Sequence, residues 1–119
     1  MITLVLIVED NPIIAMDIAE IVETKLKAKS MIVTKVSDGL KVDPKLVSLA
    51  LLDIEIQEGT SYPIARKMIA NNIPVIFISG NKPDTLPDDL KDVAFLSKPF
   101  VAERLVLLAN SLYGDFSQL

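Results

Sequence analysis

Four short apolar stretches of this chain end on side chains that could do chemistry. Glu9 and Asp10 follow TLVLIV, Asp53 follows LALL, Ser79 follows PVIFI and Lys98 follows VAFLS. Singly, each has a bland explanation: an acid after a strand caps a helix or faces water, Ser79-Gly80 starts a loop, and Lys98-Pro99 makes a turn. Jointly, four strand ends deliver acids, a hydroxyl and an ammonium to one rim. Three clustered carboxylates repel by up to roughly 4 kcal/mol per close pair at an effective dielectric near 20, and one lysine offsets one of the three charges. A divalent cation would restore neutrality. The chain has no cysteine and no histidine, so any metal must be held by oxygen. That suits magnesium, a hard ion that keeps several waters and needs few carboxylates. An aspartate, a hydroxyl and a lysine beside such an ion are parts for phosphoryl transfer, where positioning and charge neutralisation dominate. Asp53 would be the nucleophile, because a covalent acyl phosphate divides one hard transfer into two easier ones. Ser79 and Lys98 would bind the phosphoryl oxygens.

The elements that must position these groups follow from hydrophobic spacing. Residues Thr3 to Val8 are β-branched or leucine and read as a central strand. Asn11 and Pro12 open a helix capped by Asp10 or Asn11, with Ile14, Ile18, Ile21, Val22 and Leu26 on its packing face and Ile13 and Met16 off it. Ser30 to Val36 reads as a half-exposed edge strand, ended by a turn at Asp38-Gly39, and Leu40 to Val47, with Pro44 inside it, as an irregular crossover or one short turn. After the Asp53 strand come a polar loop, Gln57 to Ser61, and a helix from Tyr62 to Asn71 or Asn72, capped by Ser61 and packed through Ile64, Ala65, Met68 and Ile69. Pro74 to Ile78 and Val93 to Leu96 are the remaining buried strands. Pro83 and Pro87 allow little more between them than a short helix from Leu86 to Lys91. A last helix runs from Pro99 or Phe100 to Tyr113, stopped by Gly114, with Val101, Leu105, Leu108 and Leu112 toward the sheet and Val106, Leu107 and Tyr113 partly outside it. The tail DFSQL is expected to fray. Strands alternating with helices imply an α/β fold, a parallel sheet covered on both faces, with ligands outside the carboxyl ends of its strands.

At 119 residues the length is that of one domain, 1–119, with a real core. No apolar run is long enough to cross a bilayer, so no membrane association and a cytoplasmic location are expected. The net charge of −4 disfavours nucleic acid as a partner.

The motifs IVEDNP, LLDIE, FISGN and LSKPF, in that order, resemble the receiver domain of two-component response regulators over essentially the whole chain. The resemblance implies a doubly wound five-stranded sheet of flavodoxin-like order 2-1-3-4-5, with a shortened fourth helix in this case. It implies magnesium, or manganese, held by Glu9, Asp10, Asp53 and the Glu55 backbone carbonyl. It makes Asp53 the phosphoacceptor, Ser79 the switch hydroxyl, Lys98 the matching lysine with a cis bond to Pro99, and Phe95 the aromatic switch residue without the usual hydroxyl. Gln57 replaces a proline usual in the family, and EGTSYPIA with Phe77 to Asn81 looks like the FATGY-type group of single-domain receivers. The implied donor is a sensor histidine kinase or histidine phosphotransfer protein, with no output domain and with autodephosphorylation rather than enzymatic turnover. Ile13 and Met16 could dock the donor, and Val106 and Tyr113 a downstream partner or a homodimer, unless residues 80–92 fold over that helix. Two other readings stay open: a pseudo-receiver that binds proteins without phosphorylation, and an aspartate-nucleophile phosphatase of the haloacid dehalogenase kind. The phosphatase reading fits less well, because Asp53 lies on the third strand and no cap domain follows. A flavodoxin analogue lacks the Ser/Thr/Gly-rich loop after the first strand.

Overall fold

The computed structural model describes residues 4–80 and 85–113. Thr3, Asn81, Pro83, Gly114 and the tail lie outside them, as does the side chain of Tyr113. The elements run β1 (Leu4–Val8), α1 (Pro12–Lys25), β2 (Lys29–Val33), α2 (Val36–Lys41), β3 (Leu49–Leu52), a two-stranded hairpin β4 (Glu55–Ile56) and β5 (Gly59–Thr60), α3 (Tyr62–Ala70), β6 (Val75–Ser79), β7 (Ala94–Ser97) and α4 (Ala102–Tyr113). The main sheet is parallel throughout, in the order β2-β1-β3-β6-β7. With β6 and β7 as its fourth and fifth members, this is the expected 2-1-3-4-5 flavodoxin-like order.

Alternation along the strands divides the core in two. Val5, Ile7, Leu49, Leu51, Ile76 and Ile78 point toward α1 and α4, where Ile18, Val22, Leu105 and Ala109 meet them. Leu6, Val8, Ala50, Leu52, Val75 and Phe77 point the other way, toward Ile64, Ala65 and Met68 of α3. A strand buried on both faces has no polar position to spare. All four residues of β3 are therefore apolar, and the first carboxylate comes one residue past its end.

Several local expectations are corrected. The edge strand stops at Val33, and Asp38-Gly39 is not a turn but the middle of α2. A Cβ on Gly39 would lie 2.3 Å from Ile64 Cδ1, so glycine is there for the close approach of α2 and α3. The crossover after α2 holds a 3-10 turn, Pro44–Leu46, capped by Asp43. Residues 57–60, expected to be loop, turn back as the β4–β5 hairpin. Ser61 occupies the position before α3 but makes no capping bond, and its buried hydroxyl has no partner among the described residues. Ile69 is exposed. The fourth helix is shortened as expected, the described residues between β6 and β7 holding a 3-10 turn, Asp88–Leu90, but Leu86 and Leu90 join the α3-side core instead of covering α4. On α4 the sheet is met by Leu105 and Ala109, while Val101 and Leu112 are exposed.

Gly39→Ala should lower stability in urea unfolding by about 1–3 kcal/mol, despite alanine's better helix propensity. The loss should shrink when Ile64→Val removes the clashing Cδ1. A neutral or stabilising Gly39→Ala would show that the two helices part freely.

Candidate functional site

At β1, β3 and β7 the ladder runs one residue past the strand, and that residue is a candidate functional one. The backbone N–H of Glu9 donates to Val33 O (3.1 Å), that of Asp53 to Val8 O (2.8 Å) and that of Lys98 to Ser79 O (3.0 Å). The side chains that end the apolar runs are thus fixed at the root by the sheet itself. Ser79 is the last residue of β6 and is buried.

Carboxylate oxygens of Glu9, Asp10 and Asp53 come within 4.8 Å of one another. Glu9 is 2% exposed, and both of its oxygens are engaged. Lys98 Nζ donates to Oε1 at 2.7 Å, and the Asn11 N–H donates to Oε2 at 3.1 Å. Lys98 also lies 3.4 Å from Asp53 Oδ2, while Asp53 Oδ1 accepts from the Ile54 N–H at 2.9 Å. Asn11 caps α1 by accepting from the N–H groups of Ile13 and Ile14 (3.0 and 3.3 Å), which leaves Asp10 outside the cap. The Lys98–Pro99 bond is cis.

Burial, and then the neighbouring Glu9, push the Asp53 carboxyl above its usual range, against smaller opposing effects of Lys98 and the Ile54 N–H. Burial alone would depress the Lys98 ammonium, but its hydrogen bond to Glu9 and the charges of Asp53 and Glu9 raise it on balance. The Lys98 contribution to stability is therefore fully present below the unfolded value, about 10.4, and is lost as pH rises through the raised folded value.

The other expected residues are placed as follows. The Glu55 side chain is exposed, and its backbone pairs with Thr60 in the hairpin. Phe95 is half-buried in β7, opposite Phe77, against the α3-side core. Ile13 and Met16 stand 72% and 67% exposed on the first turns of α1. Val106 is half-buried against the α1-side core, so the open apolar surface here is formed by Leu107 and Leu112 of α4 and Val101 just before it. A cavity of about 560 Å³ beside Lys98 is lined by Ile14, Asp17, Ile18, Ile21, Pro99 and Phe100. Sequence reasoning missed Asn11 as a donor to Glu9 and the hairpin after Asp53. The first was signalled by Asn-Pro at a helix start, and the second by Glu58-Gly59 between Ile56 and Thr60.

No family model and no curated protein matches the chain. Among solved structures, SdrG from Sphingomonas melonis Fr1 is 31% identical over 93% of this chain and 96% of that one, with a TM-score of 0.79. A CheY-like response regulator receiver domain protein from Methanospirillum hungatei JF-1 superimposes with a TM-score of 0.83 at 18% identity, covering 99% and 98% of the two chains. The chain belongs to the response regulator receiver family. A further receiver domain, from a sensor histidine kinase of Pseudomonas aeruginosa PAO1, is described with a magnesium ion coordinated in its active-site cleft. It is 20% identical over 96% of this chain and 99% of that one, with a TM-score of 0.81.

A carboxyl whose pKa is raised by folding binds its proton more tightly folded than unfolded. Stability therefore falls as pH rises from the unfolded value, near about 3.9, through the folded one. In metal-free buffer at neutral pH, Asp53→Asn should accordingly raise the unfolding free energy by about 0.5–2 kcal/mol. The gain should fade as pH drops through that window. Equal or lower stability of the variant at pH 7 would contradict this account.

Proposed function

We propose that this receiver is a phosphoryl acceptor, with Asp53 taking the group from a sensor histidine kinase or a histidine phosphotransfer protein. The observation that carries the reading is the gathering of Glu9, Asp10 and Asp53 within 4.8 Å of one another, with the Lys98 ammonium on Glu9 and Asp53. An Asp53 carboxylate oxygen forms the new bond to phosphorus as the bond from phosphorus to the donor's imidazole nitrogen breaks. The imidazole leaves with the bonding pair and takes up a proton from water.

The donor set fits a hard divalent cation, since every ligand is oxygen and, among the described residues, the acids outnumber the one cation paired with them. Glu9, Asp10, Asp53 and the Glu55 carbonyl would hold magnesium or manganese. Such an ion, when bound, supplies charge neutralisation for the transferred group. Lys98, now nearer Glu9 than Asp53, is the partner for the added phosphoryl oxygens, and buried Ser79 at the neighbouring strand end offers its hydroxyl. Once the group is bound, Ser79 and Phe95 form the switch that alters residues 80–92. Ile13 and Met16, exposed on the first turns of α1, form the docking surface for the donor. The open face of α4 serves a downstream partner or a homodimer. Autodephosphorylation ends the signal. Membership of the FATGY-type group is part of the same proposal, and rests on the sequence EGTSYPIA together with Phe77 to Asn81.

Intact mass after incubation with acetyl phosphate and magnesium tests the reading. The expected result is a gain of one phosphoryl group in the parent chain, and none in Asp53→Asn or with chelator. A folded parent chain that gains nothing would overturn it in favour of a receiver that only binds proteins.

A further inference from the structure

We propose that Glu58 is a positioning residue for the cation site: it clamps the hairpin that follows Asp53 onto the start of α2, and so fixes the backbone of residues 54–56 beside the phosphoacceptor. The inference rests on the reading that the Glu55 carbonyl is a cation ligand.

The β4–β5 hairpin is held at its base by apolar contact, because Ile54 and Ile56 are buried in the α3-side core, and by the Ser61 N–H donating to Ile54 O at 2.8 Å. Its tip has no such anchor. There, the Val36 N–H donates to Gln57 O at 3.2 Å, and the Ser37 N–H donates to Glu58 Oε1 at 2.8 Å. These are first-turn N–H groups of α2, which its own N-cap residue, Lys35, leaves without a side-chain partner. The Ser37 amide is also the main reason that the Glu58 carboxyl lies below its usual range.

The backbone at this point is unusual. Glu58 has φ 78°, a left-handed conformation that glycine or asparagine adopts more readily, and the flexible Gly59 is the next residue. A glutamate kept where another residue would be less strained points to a use for its side chain. Its carboxylate reaches across to Ser37 of α2.

The other end of α2 is held in the same way. Lys67 of α3 donates to Leu40 O, and Ile64 closes over Gly39. An anion at the amino end and a cation at the carboxyl end of this short helix both match its dipole. Both come from the segment after Asp53, so α2 and residues 54–67 form one block, and of the three side chains that tie it together, Glu58, Ile64 and Lys67, Glu58 is nearest Asp53 in sequence.

Two substitutions separate positioning from simple loss of structure. Glu58→Asn keeps a residue suited to positive φ but withdraws the acceptor by one methylene, whereas Glu58→Gln keeps both reach and acceptor. Magnesium titrations followed by amide chemical shifts of residues 53–56, with hydrogen exchange run alongside, provide the readout. Affinity in Glu58→Asn should fall about tenfold, and exchange at Ser37 and in the hairpin should accelerate about tenfold, while amides of β1 and β3 stay unchanged. Glu58→Gln should restore both to near the parent values. Parent-like affinity in Glu58→Asn, with or without faster exchange, would overturn the positioning role while leaving the cation site intact. Absence of magnesium-dependent shifts in the parent chain would overturn both the cation reading and this inference.

Discussion

Lys98 is shared between two acids and cannot satisfy three. Its ammonium is 2.7 Å from Glu9 and 3.4 Å from Asp53, and the oxygens of Glu9, Asp10 and Asp53 crowd within 4.8 Å. Among the described residues it is the one cation in ion-pair contact with this cluster. Water at the rim screens part of the repulsion, but Glu9 is buried and Asp53 nearly so, and there the screening is weak. The site is left with an excess of negative charge that folding tolerates and a positively charged ligand would relieve. Burial first, and then the charge of Glu9, raises the Asp53 carboxyl out of its usual range.

Holding like charges together needs a stiff frame, and the sheet supplies it. Because β1, β3 and β6 are sealed on both faces, moving any of them would disturb two layers of core at once. The last ladder bond of β1, β3 and β7 falls on Glu9, Asp53 and Lys98 themselves. The repulsion is therefore borne by backbone hydrogen bonds and apolar burial, each fully buried leucine or isoleucine contributing roughly 1.5–3 kcal/mol. Functional strain sits where the frame is strongest, and the softer elements, α2 and the hairpin, are tied to it by side chains.

What was legible in the sequence follows the same division. Continuous apolar runs such as LVLIV, LALL and VIFIS can only be buried strands, so their ends, and with them Glu9, Asp53 and Ser79, could be read directly. The short elements could not. Asp38-Gly39 has the composition of a turn, yet α2 forms there because Ile64, Glu58 and Lys67 hold it from outside, contacts with no local signature. The phase of α4 was misjudged for a related reason: a small residue, Ala109, makes the close approach, while the larger Val101 and Leu112 are left outside. Exposure of Ile13 and Met16 was legible from their phase on α1, because a long helix with a clear capping residue leaves little freedom.

If the excess charge is the organising feature, a divalent cation should stabilise the fold through these acids and no others. The most direct measurement is the urea unfolding free energy against magnesium concentration at fixed ionic strength, for the parent chain and for Asp10→Asn. The account predicts a saturable rise in the parent, about 2.7 kcal/mol at a hundred times the dissociation constant, and a rise shifted to much higher magnesium in Asp10→Asn. A parent chain whose stability does not respond to magnesium, or a variant that responds identically, would contradict it.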